Sequence, residues 1–304
     1  MAKLNSWIRA ARPRTVLLSF SGVLLGGFLA ARLAINGEFF YPSPILFAAI
    51  TAVLLQILSN LANDYGDFKK GTDSAKRVGP QREMQSGNIT EKEMRRGIMI
   101  TIMLCFVSGG LLLTTTIIAQ GNWSKVLVFA GLGLAAVLAA LFYTLGKHPY
   151  GYQGLGDLFC FLFFGWVAVA GTYCLATPSF DFSVLLPASA MGFLSNAVLN
   201  INNMRDYEND KASGKNSLVV KLGQKRAFVY HCLLIGGAFA CLTAYLVLSQ
   251  AKWHSYLFLF LSILFIKDLI AIKKTVPEQL DPFLGRQVRN SFLLVLVYGV
   301  LLVV

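Results

Sequence analysis

An apolar run long enough to cross a bilayer recurs nine times along this chain, near residues 15–35, 42–62, 97–119, 124–145, 155–176, 183–204, 227–248, 254–272 and 288–304. A helix of about 20 apolar residues spans the hydrocarbon layer, where backbone polar groups find partners only within the helix itself. The sequence therefore predicts an all-α, polytopic membrane protein. No Ser-, Gln- or Pro-rich linker interrupts it, so residues 1–304 are expected to form one membrane-embedded domain. A net charge of +12 would suit nucleic acid if it were gathered on one soluble domain. Here the Lys and Arg residues lie between apolar runs, where membrane topology places them, and nucleic acid is excluded as a partner.

Nine spans put the two termini on opposite sides. With the N-terminus inside, the outer loops hold only Arg32, Lys125 and Lys252, leaving 24 of the 27 basic residues on the cytoplasmic side or its helix ends. That asymmetry predicts a cytoplasmic N-terminus and cytoplasmic loops after spans two, four, six and eight. Residues 4–14 are expected to form a short interfacial helix with Trp7 and Ile8 toward lipid and Arg9, Arg12 and Arg14 toward phosphate headgroups. The apolar part that follows is too long for a signal-peptide core and reads as an uncleaved first span.

Two of the inner connections are dense in charge. Asn63 to Gly87, NDYGDFKKGTDSAKRVGPQREMQSG, follows span two, and Asn202 to Leu218, NNMRDYENDKASGKNSL, follows span six. Both carry Asn-x-x-x-Asp: Asn63 with Asp67, and Asn202 with Asp206, four residues before Asp210. On a helix, positions i and i+4 share a face. Amide and carboxylate oxygens on facing segments are the hard ligands that Mg2+ takes, usually in company with phosphate oxygens, so a diphosphate site at a membrane surface is expected. Superposing Asn63 on Asn202 also superposes Asp67 on Asp206 and Phe68 on Tyr207, which suggests two similar helical halves. Solvation of loops is enough to account for Glu91, Glu93, Glu208 and Glu278. It does not require the same spacing twice, each time where an apolar span ends.

Lys69, Lys70, Lys76, Arg77 and Arg82 accompany the first acidic stretch, and Arg205, Lys211 and Lys215 the second. A diphosphate carries more charge than one Mg2+ cancels, and such cations complement it; positive-inside bias alone would also place them here. A third inner connection, Tyr143 to Asp157 (YTLGKHPYGYQGLGD), offers Tyr143, Tyr150 and Tyr152 either as an interfacial aromatic belt or, with Lys147 and Asp157, as chamber lining. The five cysteines form no CxxC pair and fall within spans, so they read as small buried residues, without zinc or disulfides. His148, His231 and His254 are too scattered for a metal triad or a Ser-His-Asp set. No GxGxxG or GxxxxGK[ST] pattern supports a nucleotide site.

At these residues the chain resembles the UbiA superfamily of intramembrane aromatic prenyltransferases. NDYGD-x5-D and NNMRD-x3-D look like its two Asp-rich motifs, and nine spans agree with its all-helical fold. SNLANDYGD, RVGPQREMQSG, PYGYxGLGD and LNINNMRDxxxDxxxGKNSL are similar to the branch that prenylates 1,4-dihydroxy-2-naphthoate in menaquinone synthesis. The resemblance implies transfer of a polyprenyl group from a polyprenyl diphosphate to that ring, with loss of CO2, in the inner membrane of a bacterium. It implies Mg2+ held by Asn63, Asp67, Asn202, Asp206 and Asp210, with Asp64, Asp67, Asp206 and Asp210 as the catalytic carboxylates. Lys70, Arg77, Arg82, Tyr143, Lys147, Asp157, Asn203 and Lys215 would meet the substrates. Asp64 projects about 100° from Asn63 on a helix, which suits a role behind the metal or at the aromatic substrate. Asp73 follows Asp67 after five residues where many relatives have three, so it is not carried over as a ligand.

A sibling enzyme acting on 4-hydroxybenzoate would keep both Asp motifs and differ in its product. A transporter would string its acidic residues along a transmembrane path, whereas these cluster on one side. A membrane scaffold would need neither motif.

Overall fold

In the computed structural model, residues 2–35, 37, 39–72 and 78–304 are described. Among them every regular element is helical, and nine helices are long and apolar enough to cross a membrane. A short helix α1 (Leu4–Ala11) leads into α2 (Pro13–Ile35), α3 (Ser43–Lys69), α4 (Glu91–Gln120) and α5 (Trp123–Phe142). Span five is α6 (Gly156–Ala176) and span six α7 (Phe182–Arg205). Two short helices follow, α8 (Tyr207–Ala212) and α9 (Leu218–Leu222), before α10 (Gln224–Leu248), α11 (Trp253–Lys274) and α12 (Asp281–Val303). The chain is a multi-pass membrane protein.

Helix ends follow local chemistry. Thr90 and Glu93 form a reciprocal capping box at the start of α4: Glu93 N donates to Thr90 Oγ1 at 3.3 Å and Thr90 N to Glu93 Oε2 at 3.0 Å. Asn122 caps α5 by accepting from Lys125 N at 3.0 Å. At the end of the bundle remote from the acidic motifs, Lys125 Nζ donates to the carbonyls of Cys174, Thr177 and Pro178 just where α6 terminates. This cation therefore satisfies orphan carbonyls at a helix C-terminus.

Packing divides between two main groups. A large core joins α2, α6, α7, α10, α11 and α12, with Leu25, Met191, Leu194, Phe258, Phe265 and Tyr298 wholly buried. A smaller one joins α1 to α3, α4 and α5 through Ala10, Leu58, Leu61, Met94 and Val137. Met99, Met103 and Leu127 instead face outward from α4 and α5, where contact with acyl chains replaces a protein partner.

The N-terminal segment departs from expectation. Its helix stops at Ala11, because Arg12 turns into the left-handed region at φ 51°. Trp7 packs into the smaller core instead of facing lipid, while Ile8 stays exposed. The three arginines expected at headgroups are drawn to carboxylates: Arg9 pairs with Glu83 at 2.5 Å, Arg12 with Asp64, and Arg14 with Asp281 at 3.2 Å. Hydrogen bonds between an arginine and a carboxylate are charge-assisted and geometrically matched.

Candidate active site

Span two is longer than its apolar run. Helix α3 continues through the acidic motif to Lys69, so Asp64 and Asp67 project from a helix and not from a loop. Its close approach to the chain after α5 depends on Gly66, where a Cβ would fall 2.5 Å from Thr144 Oγ1. That hydroxyl in turn donates to Ala62 O at 3.0 Å. Span six stops at Arg205; Asp206 sits at the break between α7 and α8, and Asp210 lies one turn further on.

Cations and a phenol hold the first motif. Arg82 Nη1 lies 2.9 Å from Asp67 Oδ2 and 3.2 Å from Asp64 Oδ1, and both carboxylates are buried. Tyr152 OH donates to Asp67 Oδ1 at 2.7 Å and accepts from Thr72 Oγ1 at 2.5 Å. In the second motif Arg205 forks onto both oxygens of Asp206, each at 2.8 Å. Lys215 Nζ stands 3.7 Å from Asp210 Oδ1. Burial would lower the Lys215 ammonium pKa, but the fields of Asp67 and Asp210 outweigh it and hold that pKa above its usual range. Burial pushes the Asp210 carboxyl up to about 6 against the lowering influence of Lys215, and pushes the Tyr143 phenol up to about 12.

Through Arg82 and Lys215 the charged cluster meets one end of a cavity of about 700 Å3. Arg82, Asn63, Asn202, Tyr143 and Lys215 line its polar end, and Phe129, Phe163, Phe164 and Val167 its apolar depth. A polar ladder runs down one wall between α2 and α3. Ser19 Oγ donates to Gln56 Oε1 at 2.9 Å, Gln56 Nε2 to Asn60 Oδ1 at 3.1 Å, and Asn60 Nδ2 to Thr15 Oγ1 at 3.0 Å. Sequence reading missed this ladder, whose signal is the recurrence of polar residues 56, 60 and 63 at helical spacing within an apolar run, a pattern costly in a membrane without a use.

The structure thus brings Asn63, Asp64, Asp67, Arg82, Tyr143, Asn202, Asp206, Asp210 and Lys215 to one end of the bundle. Other expected residues stand apart. Asp157 accepts from Tyr230 OH at 3.0 Å on the α6–α10 side and does not line the cavity. Lys70 is exposed and reaches Gly146 O at 3.3 Å, and Lys147 is exposed with no polar partner among the described residues. Asn203 is buried but points away from the cavity lining, its Oδ1 without a hydrogen bond. Asn202 Oδ1 is engaged by Arg205 Nη2 at 2.9 Å. Arg77, Lys76 and Asp73 lie outside the described residues. Tyr152, read from sequence as belt or lining, binds Asp67 directly.

Among the described residues no three of His, Cys, Asp and Glu gather closely enough to hold a metal ion. Lys215 and Arg82 lie between the carboxylates and keep like charges apart. Asn63 Oδ1 and Asp210 Oδ2 are nevertheless buried oxygens without a hydrogen bond. Two unpaired hard oxygens beside two anionic motifs fit a divalent cation better than any thiol or imidazole set.

Residues 19–297 match the UbiA prenyltransferase family, and the chain belongs to it. The chain is 41% identical to the 1,4-dihydroxy-2-naphthoate octaprenyltransferase of Haemophilus influenzae, over 98% of this chain and 95% of that one. It is 40% identical to the Escherichia coli enzyme of the same name, over 99% and 97%. A UbiA homolog from Archaeoglobus fulgidus, solved with GPP and Mg2+ bound, superposes with a TM-score of 0.63 at 15% identity, over 98% of this chain and 99% of that one.

Proposed function

We propose that this chain transfers a polyprenyl group from a polyprenyl diphosphate to 1,4-dihydroxy-2-naphthoate in the bacterial inner membrane, with its N-terminus cytoplasmic. The observation that carries the reading is a cavity with the buried cations Arg82 and Lys215 at one end, each backed by a carboxylate, and aromatic walls below, the shape of an amphiphile with a charged head. Family membership and the names of the two bacterial relatives support the acceptor.

Asn63, Asp67, Asp206 and Asp210 would hold Mg2+, which supplies charge neutralisation of the leaving diphosphate. Arg82 and Lys215 already face the cavity and would bind the diphosphate oxygens that the metal leaves free. The C1–O bond of the donor breaks, and its electron pair leaves with the diphosphate. The ring carbon bearing the carboxylate then bonds to the allylic carbon. Breaking the bond to the carboxylate releases CO2 and returns its pair to the ring, so no side chain has to remove a ring proton. None of the three histidines lines the cavity, which suits that route.

Purified protein, Mg2+, a polyprenyl diphosphate and carboxyl-labelled dihydroxynaphthoate test this. CO2 release should match prenyl transfer one for one, with 4-hydroxybenzoate a poor acceptor. A prenylated product that keeps its labelled carboxylate would overturn the acceptor assignment and leave the prenyl transfer standing. For orientation, single cysteines at Gln81 and Lys252 in a cysteine-free background should label from opposite sides. Equal labelling from the periplasm would overturn the topology.

A further inference from the structure

By sequence Arg205 is one of several basic residues near the second motif. In the structure it is 4% exposed and divides its donors among three side chains. Nε and Nη2 reach the two oxygens of Asp206, Nη2 also donates to Asn202 Oδ1, and Nη1 donates to Asp281 Oδ1 at 2.6 Å. Asp281 opens α12 and receives Arg14 Nη1 on its other oxygen at 3.2 Å. The loop after α3 closes over the guanidinium at Gly79, where a Cβ would fall 2.7 Å from Nη2 and 2.8 Å from Cζ. Three elements, the loop after α3, α7 and α12, thus converge on one planar cation, and α2 reaches it only through Asp281.

We propose that Arg205, held in its plane by Asp281 and Gly79, is the positioning residue that orients the Asp206 carboxylate toward Mg2+, so that the first turn of the last helix helps set the metal affinity of the second motif. This rests on the reading of Asp206 as a metal ligand. A guanidinium fork takes one lone pair from each carboxylate oxygen and fixes the plane of the group, and with it the directions of its other lone pairs. Asp281 also shares the charge of Arg205. Without it, the full positive charge would be directed at Asp206 and would compete with a divalent cation for the same carboxylate. Arg14 is largely exposed, so solvent screens its contribution.

The alternative is that Arg205 only staples α7 to α12. The full chain in lipid nanodiscs, titrated with Mn2+ in the presence of inorganic pyrophosphate and followed by electron paramagnetic resonance, separates the two without any turnover. Arg205→Lys keeps the charge but cannot fork and bridge at once, and should weaken Mn2+ binding by about tenfold or more, as changes behind a metal ligand do. Asp281→Asn should act in the same direction. Gly79→Ala, which pushes on the guanidinium, should follow. Arg286→Ala removes a separate ion pair between α11 and α12 (3.1 Å to Asp268) and should leave Mn2+ affinity unchanged. Should Arg205→Lys fail to fold, Asp281→Asn and Gly79→Ala read the same quantity with Arg205 in place. Lowered melting temperatures with unchanged Mn2+ affinity would reduce Arg205 to a staple and overturn the proposal. A wild-type protein that binds no Mn2+ with pyrophosphate would instead overturn the metal reading on which it rests.

Discussion

The two acidic motifs share a spacing but not a setting. On α3 the helix runs unbroken through Asn63, Asp64 and Asp67, and the groups that hold those carboxylates come from elsewhere: Arg12 before α2, Arg82 from the following loop, and Tyr152 from the connection after α5. On the second motif the helix breaks at Asp206, and two of the holding groups are local, Arg205 beside Asp206 and Lys215 five residues after Asp210. A motif whose partners are distant closes only when the bundle is assembled, whereas one with local partners is largely built as its own segment folds. The first half should therefore report on loop and helix placement, and the second more on its own sequence, with Asp281 and Gly79 as its distant supports.

The largest expected effects test whether the halves act on one substrate. Asp67→Asn and Asp206→Asn should each lower kcat by about a thousandfold, the scale for losing electrostatic stabilisation of a leaving group. Both should leave the protein folded. Arg82 keeps Asp64 as a partner in the first variant, and Arg205 keeps Asp281 in the second, so neither cation is left buried and alone. Near-normal Mg2+-dependent turnover in either would break the equivalence of the motifs and the ligand assignment with it. Glu91→Ala, at a half-exposed partner of Lys69, is the control and should be mild.

A smaller effect separates imported from local support. Tyr152→Phe removes the hydrogen bond to Asp67 without changing shape, and a bond to a buried carboxylate contributes about 1.5–3 kcal/mol. Its expected signature is roughly tenfold weaker activation by Mg2+ with an unaltered KM for the acceptor. If acceptor KM rises instead, Tyr152 lines the aromatic subsite and does not support the first motif.

The number and placement of spans were legible because apolar runs of bilayer length leave little else possible. The acidic motifs and several cavity residues were legible too, because charge at membrane depth is costly. The far ends of the pairings were not. Nothing in the strings around Arg9, Arg12 and Arg14 distinguishes a headgroup contact from a carboxylate 52 to 267 residues away. Asp157 and Lys147 looked equivalent to Asp67 and Lys215 in composition and side of the membrane. Helix rotation sends Asp157 to Tyr230, and the exposed turn leaves Lys147 in solvent. The extension of α3 past its apolar run was hidden because hydropathy marks the bilayer and not the end of the helix.

The smallest expected effect concerns the imported support alone. Glu83 is buried in the loop that carries Arg82, and Arg9 from α1 donates to it through Nε at 2.5 Å and Nη2 at 3.1 Å. Those hydrogen bonds hold its carboxyl below the usual range, against the opposing influence of burial. A depressed acid stabilises the folded state above its unfolded pKa of 4.5, and that contribution is lost as pH falls through the lower folded value. Arg9 is mostly exposed, so solvent screens the pair and the effect stays small. Glu83→Gln should therefore melt slightly earlier than wild type at neutral pH, with the two curves converging as pH drops below about 4.5. The second motif should register the change only weakly, because Glu83 and Arg9 touch neither Arg205 nor Lys215 and the loop meets Arg205 at Gly79 instead. Mn2+ affinity in Glu83→Gln that falls as far as in Arg205→Lys would mean that the two halves are coupled through the loop, and that the division between distant and local support does not hold.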